Sequence, residues 1–86
     1  MADKFEITHR VSVPHGDRGV EIYGWQNHAN PARWILNASL HTDLPRPHDR
    51  VAFPATVEAP DFGAASELAV EVGISRYVKW RSELDG

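Results

Sequence analysis

Five histidines are the residues of this chain best suited to metal binding or acid–base chemistry, and they are spread along its length. No two of them are three or four residues apart, and the chain contains no cysteine and no His-Glu-x-x-His sequence. Those are the spacings and ligands typical of zinc sites. We therefore predict no bound metal and no other cofactor. The five are His9, His15, His28, His41 and His48.

The polar stretch of residues 42–50 holds the groups most suitable for acid–base catalysis. His41, Asp43, His48 and Asp49 lie in or beside it, but general acid–base chemistry needs a fixed pair of groups in a pocket. No nucleophile with a Gly-x-Ser-x-Gly sequence accompanies them. The sequence favours a solvated loop that its two prolines keep extended, and a protein that is not an enzyme. An enzyme that uses His41 or His48 is the alternative.

A second alternative is nucleic-acid binding through the basic residues Arg76, Lys79 and Arg81. Tyr23 and Trp25 could then stack on single-stranded bases. The formal net charge of −3 argues against a mainly electrostatic interaction with nucleic acid. We therefore rank this function below protein binding.

Length and composition limit the class of protein. A chain of 86 residues is expected to form one domain, 1–86. It has no cysteine, no secretory signal and no apolar run long enough to cross a bilayer. These features predict a cytoplasmic protein that does not interact with membranes.

The last third of the chain is predicted to be one amphipathic helix over about residues 62–84, with Asp61 as the N-cap. Gly73 lies within its apolar stripe. A continuous helix that approaches a sheet closely at Gly73 is favoured over a helix that ends there. The stripe consists of Phe62, Ala69, Val70, Gly73, Ile74, Tyr77, Trp80 and Leu84.

Alternating apolar and polar residues predict strands at about 4–13, 20–26, 33–41 and 51–57. Pro14 is expected to end the first strand. Gly24 suggests a bulge or a close backbone contact, and Pro54 either lies at a sheet edge or ends the fourth strand early.

Strands followed by a terminal helix predict an α+β fold. We expect a three- to four-stranded antiparallel sheet, in the order β-β-β-β-α, packed on one C-terminal helix. This order, with the sequence Ala69–Gly73 and a late Trp80 in the helix, resembles small bacterial sheet-plus-helix proteins that have no assigned activity. The predicted core comprises the helix stripe and Phe5, Ile7, Val11, Val13, Ile22, Trp34, Leu36, Leu40 and Phe53.

The face of the predicted sheet that points away from the helix carries Tyr23, Trp25 and Ile35. Leu68 and Val72 lie beside the helix stripe. Exposed apolar and aromatic groups of this kind mark protein interfaces, so we predict a protein-interaction module whose partner is another protein or a second copy. The competing interpretation is that the 42–50 loop covers Tyr23 and Trp25.

Overall fold

A computed structural model describes residues 7–16 and 18–85 of the chain. Within them the chain forms an antiparallel sheet with strand order β1-β2-β3-β4, and a short fifth strand pairs with β3. One helix follows, so the predicted α+β class is confirmed. The elements are β1 (His9–His15), β2 (Arg18–Gln26), β3 (Arg33–His41), β4 (Arg50–Pro54), β5 (Val57–Glu58) and α1 (Phe62–Asp85).

The first two strands form a tight hairpin in which His15 pairs with Arg18. Gly16, in the turn, has a φ of 64°, a conformation that glycine adopts without the steric penalty of a Cβ. Pro14 was expected to end the first strand, but it lies inside β1 and pairs with Gly19. Because β1 lies at one end of the strand order, a residue without an N–H is tolerated there.

The start of the predicted first strand falls partly outside the described residues. Residues 4–6 lie there, and so does Phe5 of the predicted core. Ile7 was predicted to join the core, but it precedes β1 and is 41% exposed, so that prediction is wrong.

The predicted fourth strand is divided in two. Both β4 and β5 pair with β3, but Ala55 and Thr56 lie between them outside any strand. The Ala55 amide still donates to the Leu36 carbonyl at 2.9 Å, and Ala55 is buried. Pro54 closes β4 at the edge of the sheet opposite β1, as its missing N–H requires.

The helix begins at a side-chain cap. Asp61 Oδ1 accepts a hydrogen bond from the Ala64 amide at 2.8 Å, which confirms the predicted N-cap. The helix then runs without a break to Asp85.

The helix and sheet pack most closely where Gly73 crosses β3. A Cβ added at Gly73 would lie 2.4 Å from the Ala38 Cβ, so glycine permits the close approach that the sequence favoured. Tyr77 and Trp80 are half-buried, whereas Leu84 is 44% exposed and lies outside the core, contrary to expectation. The buried apolar side chains are Val20, Ile22, Trp34, Leu36, Ala38, Leu40, Ala55, Ala59, Ala65, Ala69 and Val70.

Candidate functional site

The face of the sheet opposite the helix carries the predicted aromatic group. Strand alternation directs Ile22 and Leu36 into the core and places Tyr23, Trp25 and Ile35 on the other face. Trp25 pairs directly with Ile35 across β2 and β3, and all three outer residues are half-buried. The helix of the described residues packs on the other face. We use the name open face for the side of the sheet that carries Tyr23, Trp25 and Ile35 and that this helix does not cover.

The backbone beneath these aromatic residues is unusually close. Gly24 has a φ of 155°, and a Cβ at this position would lie 2.1 Å from the Ile35 carbonyl oxygen. The predicted close contact at Gly24 is therefore present. This contact holds β2 close to β3 next to the pair formed by Trp25 and Ile35.

A chain of charged groups crosses the open face next to the aromatic residues. The Arg10 guanidinium lies 5.4 Å from the centre of the Tyr23 ring, within the range of a cation–π contact. Arg10 also pairs with Glu21 at 3.5 Å, and Arg50 pairs with the same Oε1 atom at 2.9 Å. Arg50 Nε donates to Ser39 Oγ at 2.9 Å, which orients it. The face thus combines aromatic surface with charges of both signs.

The loop between β3 and β4 is closed, not extended as the two prolines predicted. The Thr42 amide donates to the Asp49 carbonyl at 2.8 Å, and the Thr42 hydroxyl donates to the His48 carbonyl. The Leu44 amide in turn donates to Thr42 Oγ1 at 3.0 Å. Thr42 therefore holds the two ends of the loop together.

The contacts of this loop are with the helix. The His48 and Trp80 rings meet at 5.5 Å, and Asp43 pairs with Arg81 at 2.8 Å. These contacts place the loop on the helix side of the sheet, and they do not support the interpretation that it covers Tyr23 and Trp25.

Leu68 and Val72 lie on the helix, in the other layer of the molecule. Leu68 is 40% exposed, whereas Val72 is half-buried and packs against the core. The structure therefore does not bring them together with Tyr23, Trp25 and Ile35, and the five predicted interaction residues form two separate surfaces.

The three basic residues of the nucleic-acid alternative also separate. Arg76 and Lys79 are exposed beside Glu71. Arg81 instead donates to Asp43 Oδ1 at 2.8 Å and to the Tyr77 hydroxyl at 3.0 Å. The hydrogen bond from Arg81 to Asp43, together with the positive charge of Arg81, lowers the pKa of Asp43 below its ordinary value. Arg81 is therefore already neutralised by a carboxylate.

A cleft that the sequence does not indicate lies between the second half of the helix and one end of the sheet. It has a volume of about 570 Å³. Its apolar walls include Val20, Leu40 and Ile74, and His41 stands at its rim. No local pattern indicates this cleft, because it depends on the angle at which the helix crosses the strands.

His15 and His41 both line this cleft, whereas His9 lies elsewhere. The His9 ring packs edge-on against Trp34 at 5.0 Å and against Phe62 at 4.9 Å, which makes it part of the packing between helix and sheet. In residues 7–16 and 18–85, no three histidine or carboxylate side chains lie close enough together to bind a metal ion.

No family model matches the chain, and neither the curated proteins nor the solved structures contain a match. The helix of the described residues is not apolar enough over any long stretch to cross a membrane.

Proposed function

We propose that this chain is a small, non-enzymatic protein-interaction module that binds its partner through the open face of the sheet. The observation that carries the proposal is the presence of Tyr23, Trp25 and Ile35 on the face opposite the helix. Tyrosine, tryptophan and arginine are the residues that most often dominate binding energy at protein interfaces. Arg10, stacked on Tyr23, adds the third of these types to the same surface.

A second copy of the chain is the partner that the charges favour. The row from Arg10 through Glu21 to Arg50 carries positive, negative and positive groups in sequence across the sheet. An interface around a two-fold axis brings the same patch of both subunits together and must be complementary to itself. A patch that carries both signs of charge meets this requirement better than a patch of one sign.

The proposed setting of this module is the cytoplasm. The absence of cysteine is compatible with a reducing compartment, where disulfides are rare.

Sedimentation equilibrium over a wide concentration range tests the proposal. The weight-average mass should rise above the 9.6 kDa of the monomer. The double variant Tyr23→Ala, Ile35→Thr removes two of the three large side chains that define the open face and should keep the protein monomeric. Leu68→Ser is the matched control, because it removes an exposed apolar side chain from the other layer. Circular dichroism establishes that each variant is folded.

Two results would contradict the proposal. A mass that falls equally in the Leu68→Ser control would place the contact elsewhere. A protein that stays monomeric at every concentration, and that captures the same proteins from lysate with and without Tyr23 and Ile35, would have no binding function on the open face.

A further inference from the structure

The cleft lies between the helix and the sheet, on the side of the sheet opposite the open face. It has the properties of a small-molecule site. Its volume of about 570 Å³ lies within the roughly 300–1,000 Å³ typical of ligand pockets. We propose that it binds a small amphipathic carboxylate, with the apolar part of the ligand in the cleft and the carboxylate at Arg18.

The walls of the cleft are apolar. Val20 and Leu40 reach it from the sheet and are themselves 1% and 6% exposed, so the sheet wall is held rigidly. Ile74 and Tyr77 form the helix wall, and both pack against the core. Val78, which is 60% exposed, stands at the mouth. An apolar chain or ring placed here would remove the exposed parts of Ile74, Tyr77 and Val78 from water, which is favourable in proportion to the area covered.

The charges at the rim favour an anion. Arg18 and Asp43 line the cleft there, and Arg81 pairs with Asp43 at 2.8 Å. Arg81 is the hydrogen-bond partner of Asp43, whereas the charge of Arg18 acts on Asp43 more weakly, so Arg18 supplies the positive charge for a ligand. Its Nη1 atom lies 3.4 Å from the His41 carbonyl oxygen, a long hydrogen bond that orients the guanidinium at the rim. A guanidinium has further N–H donors in a planar fork that fits a carboxylate.

The apolar walls of the cleft and the guanidinium of Arg18 together select the ligand class. A fully apolar molecule would gain nothing from Arg18, and a cation would be repelled by it. A carboxylate with a short aliphatic chain satisfies both the apolar walls and the rim.

Titration of ¹⁵N-labelled protein with octanoate, followed by NMR, tests this assignment. Octanol and octylammonium serve as probes with the same chain and a different charge. We expect saturable shifts at the amides of Val20, Leu40 and Val78, and tighter binding of octanoate than of either other probe. Arg18→Gln should weaken octanoate binding about tenfold, the low end of the contribution of a hydrogen bond to a charged group.

A second variant places a negative charge at the mouth without disturbing the core. Val78→Asp should weaken octanoate binding by repulsion, whereas Ser75→Asp, at an exposed helix position outside the cleft, should leave it unchanged. The proposal is overturned if octanoate gives no saturable shifts, if its shifts map to the open face, or if Arg18→Gln binds octanoate as tightly as the natural chain. Equal affinity for the three probes would show adsorption to apolar surface without recognition of the carboxylate.

Discussion

Arg81 and Asp43 are separated by 38 positions in the chain, and Arg81 Nη1 donates to Asp43 Oδ1 at 2.8 Å. Asp43 belongs to the loop between β3 and β4, and Arg81 to the last turns of the helix. The pair therefore connects the end of the helix to the end of the sheet. It lies beside the cleft, where it fixes the position of the rim.

The first prediction concerns the titration of Asp43. Its pKa lies below the ordinary 3.8, first because of the hydrogen bond from Arg81. Because the folded-state pKa is the lower one, the stabilisation by this pair is fully present above the ordinary pKa of aspartate. It is lost as the pH falls through the lowered value. In Arg81→Gln, the Asp43 carboxyl should titrate at a higher pH, as ¹³C NMR of the carboxyl carbon would measure.

Lys79→Gln provides the matched control for this titration. It removes an exposed cation from the same part of the helix, and it should leave the Asp43 titration unchanged. Identical titration of Asp43 in the natural chain and in Arg81→Gln would show that the pair does not persist in solution.

The second prediction concerns the contact between Gly73 and Ala38. Alanine is the better helix former by roughly 1 kcal/mol, yet a Cβ at position 73 would lie 2.4 Å from the Ala38 Cβ. Overpacking of this kind costs about 1–3 kcal/mol. The opposing Cβ is attached directly to the backbone and cannot move aside, so we expect the upper end of that cost. Gly73→Ala should therefore lower the free energy of unfolding by about 2 kcal/mol after the gain in helix propensity. Urea denaturation measures this change.

Two further variants separate the steric clash from a general effect of substitution in the helix. Ser75→Ala, at an exposed position of the same helix, should change the stability by no more than about 0.5 kcal/mol. Adding Ala38→Gly removes the opposing methyl group, so Gly73→Ala should cost less in that background. A Gly73→Ala protein that is as stable as the natural chain would show that the helix lies farther from the sheet.

Gly73 also illustrates what the sequence can reveal. A glycine inside an otherwise regular apolar stripe indicated a close approach to a sheet, and strand alternation placed Tyr23 and Trp25 on the face away from the helix. Both features follow from local periodicity, because the side-chain periods of helix and strand are fixed by the backbone.

Features that depend on the relative placement of distant segments could not be predicted. The pairing of Arg81 with Asp43 requires the loop to fold back onto the helix, which Thr42 arranges through hydrogen bonds. The division between β4 and β5 arises because Ala55 turns inward to bond to Leu36. In the sequence, Pro54 indicates a possible early end of the fourth strand, but Ala55 continues the alternation, so nothing local indicates that a separate β5 follows.

The third prediction concerns the backbone under the open face. Gly24→Ala would combine a strained φ of 155° with a Cβ 2.1 Å from the Ile35 carbonyl oxygen. Backbone strain costs about 1–3 kcal/mol, and the clash is with backbone that cannot move without breaking β2 from β3. We expect a loss of about 3 kcal/mol or more in the free energy of unfolding.

Gly16→Ala is the comparison for Gly24→Ala. Gly16 also has a positive φ, of 64°, but a Cβ there would meet no atom within 4 Å. Its loss should be limited to the conformational penalty of about 1–2 kcal/mol. Similar losses at both positions would mean that strain alone acts at Gly24 and that β2 and β3 are not so close.

The fourth prediction separates protein binding from nucleic-acid binding. Association with a polyanion depends on how many cations neutralise its phosphates, and Arg81 is already paired with Asp43. The formal net charge of −3 opposes such association further. Fluorescence anisotropy with labelled single-stranded RNA and DNA should therefore detect no binding even at low salt, and Arg76→Gln with Lys79→Gln should change nothing.

Binding that weakens steeply with added salt, and that this double variant abolishes, would instead establish the basic part of the helix as the functional surface. Binding that Tyr23→Ala abolishes would indicate base stacking on the open face, and would replace a protein partner by a single-stranded nucleic acid at that surface.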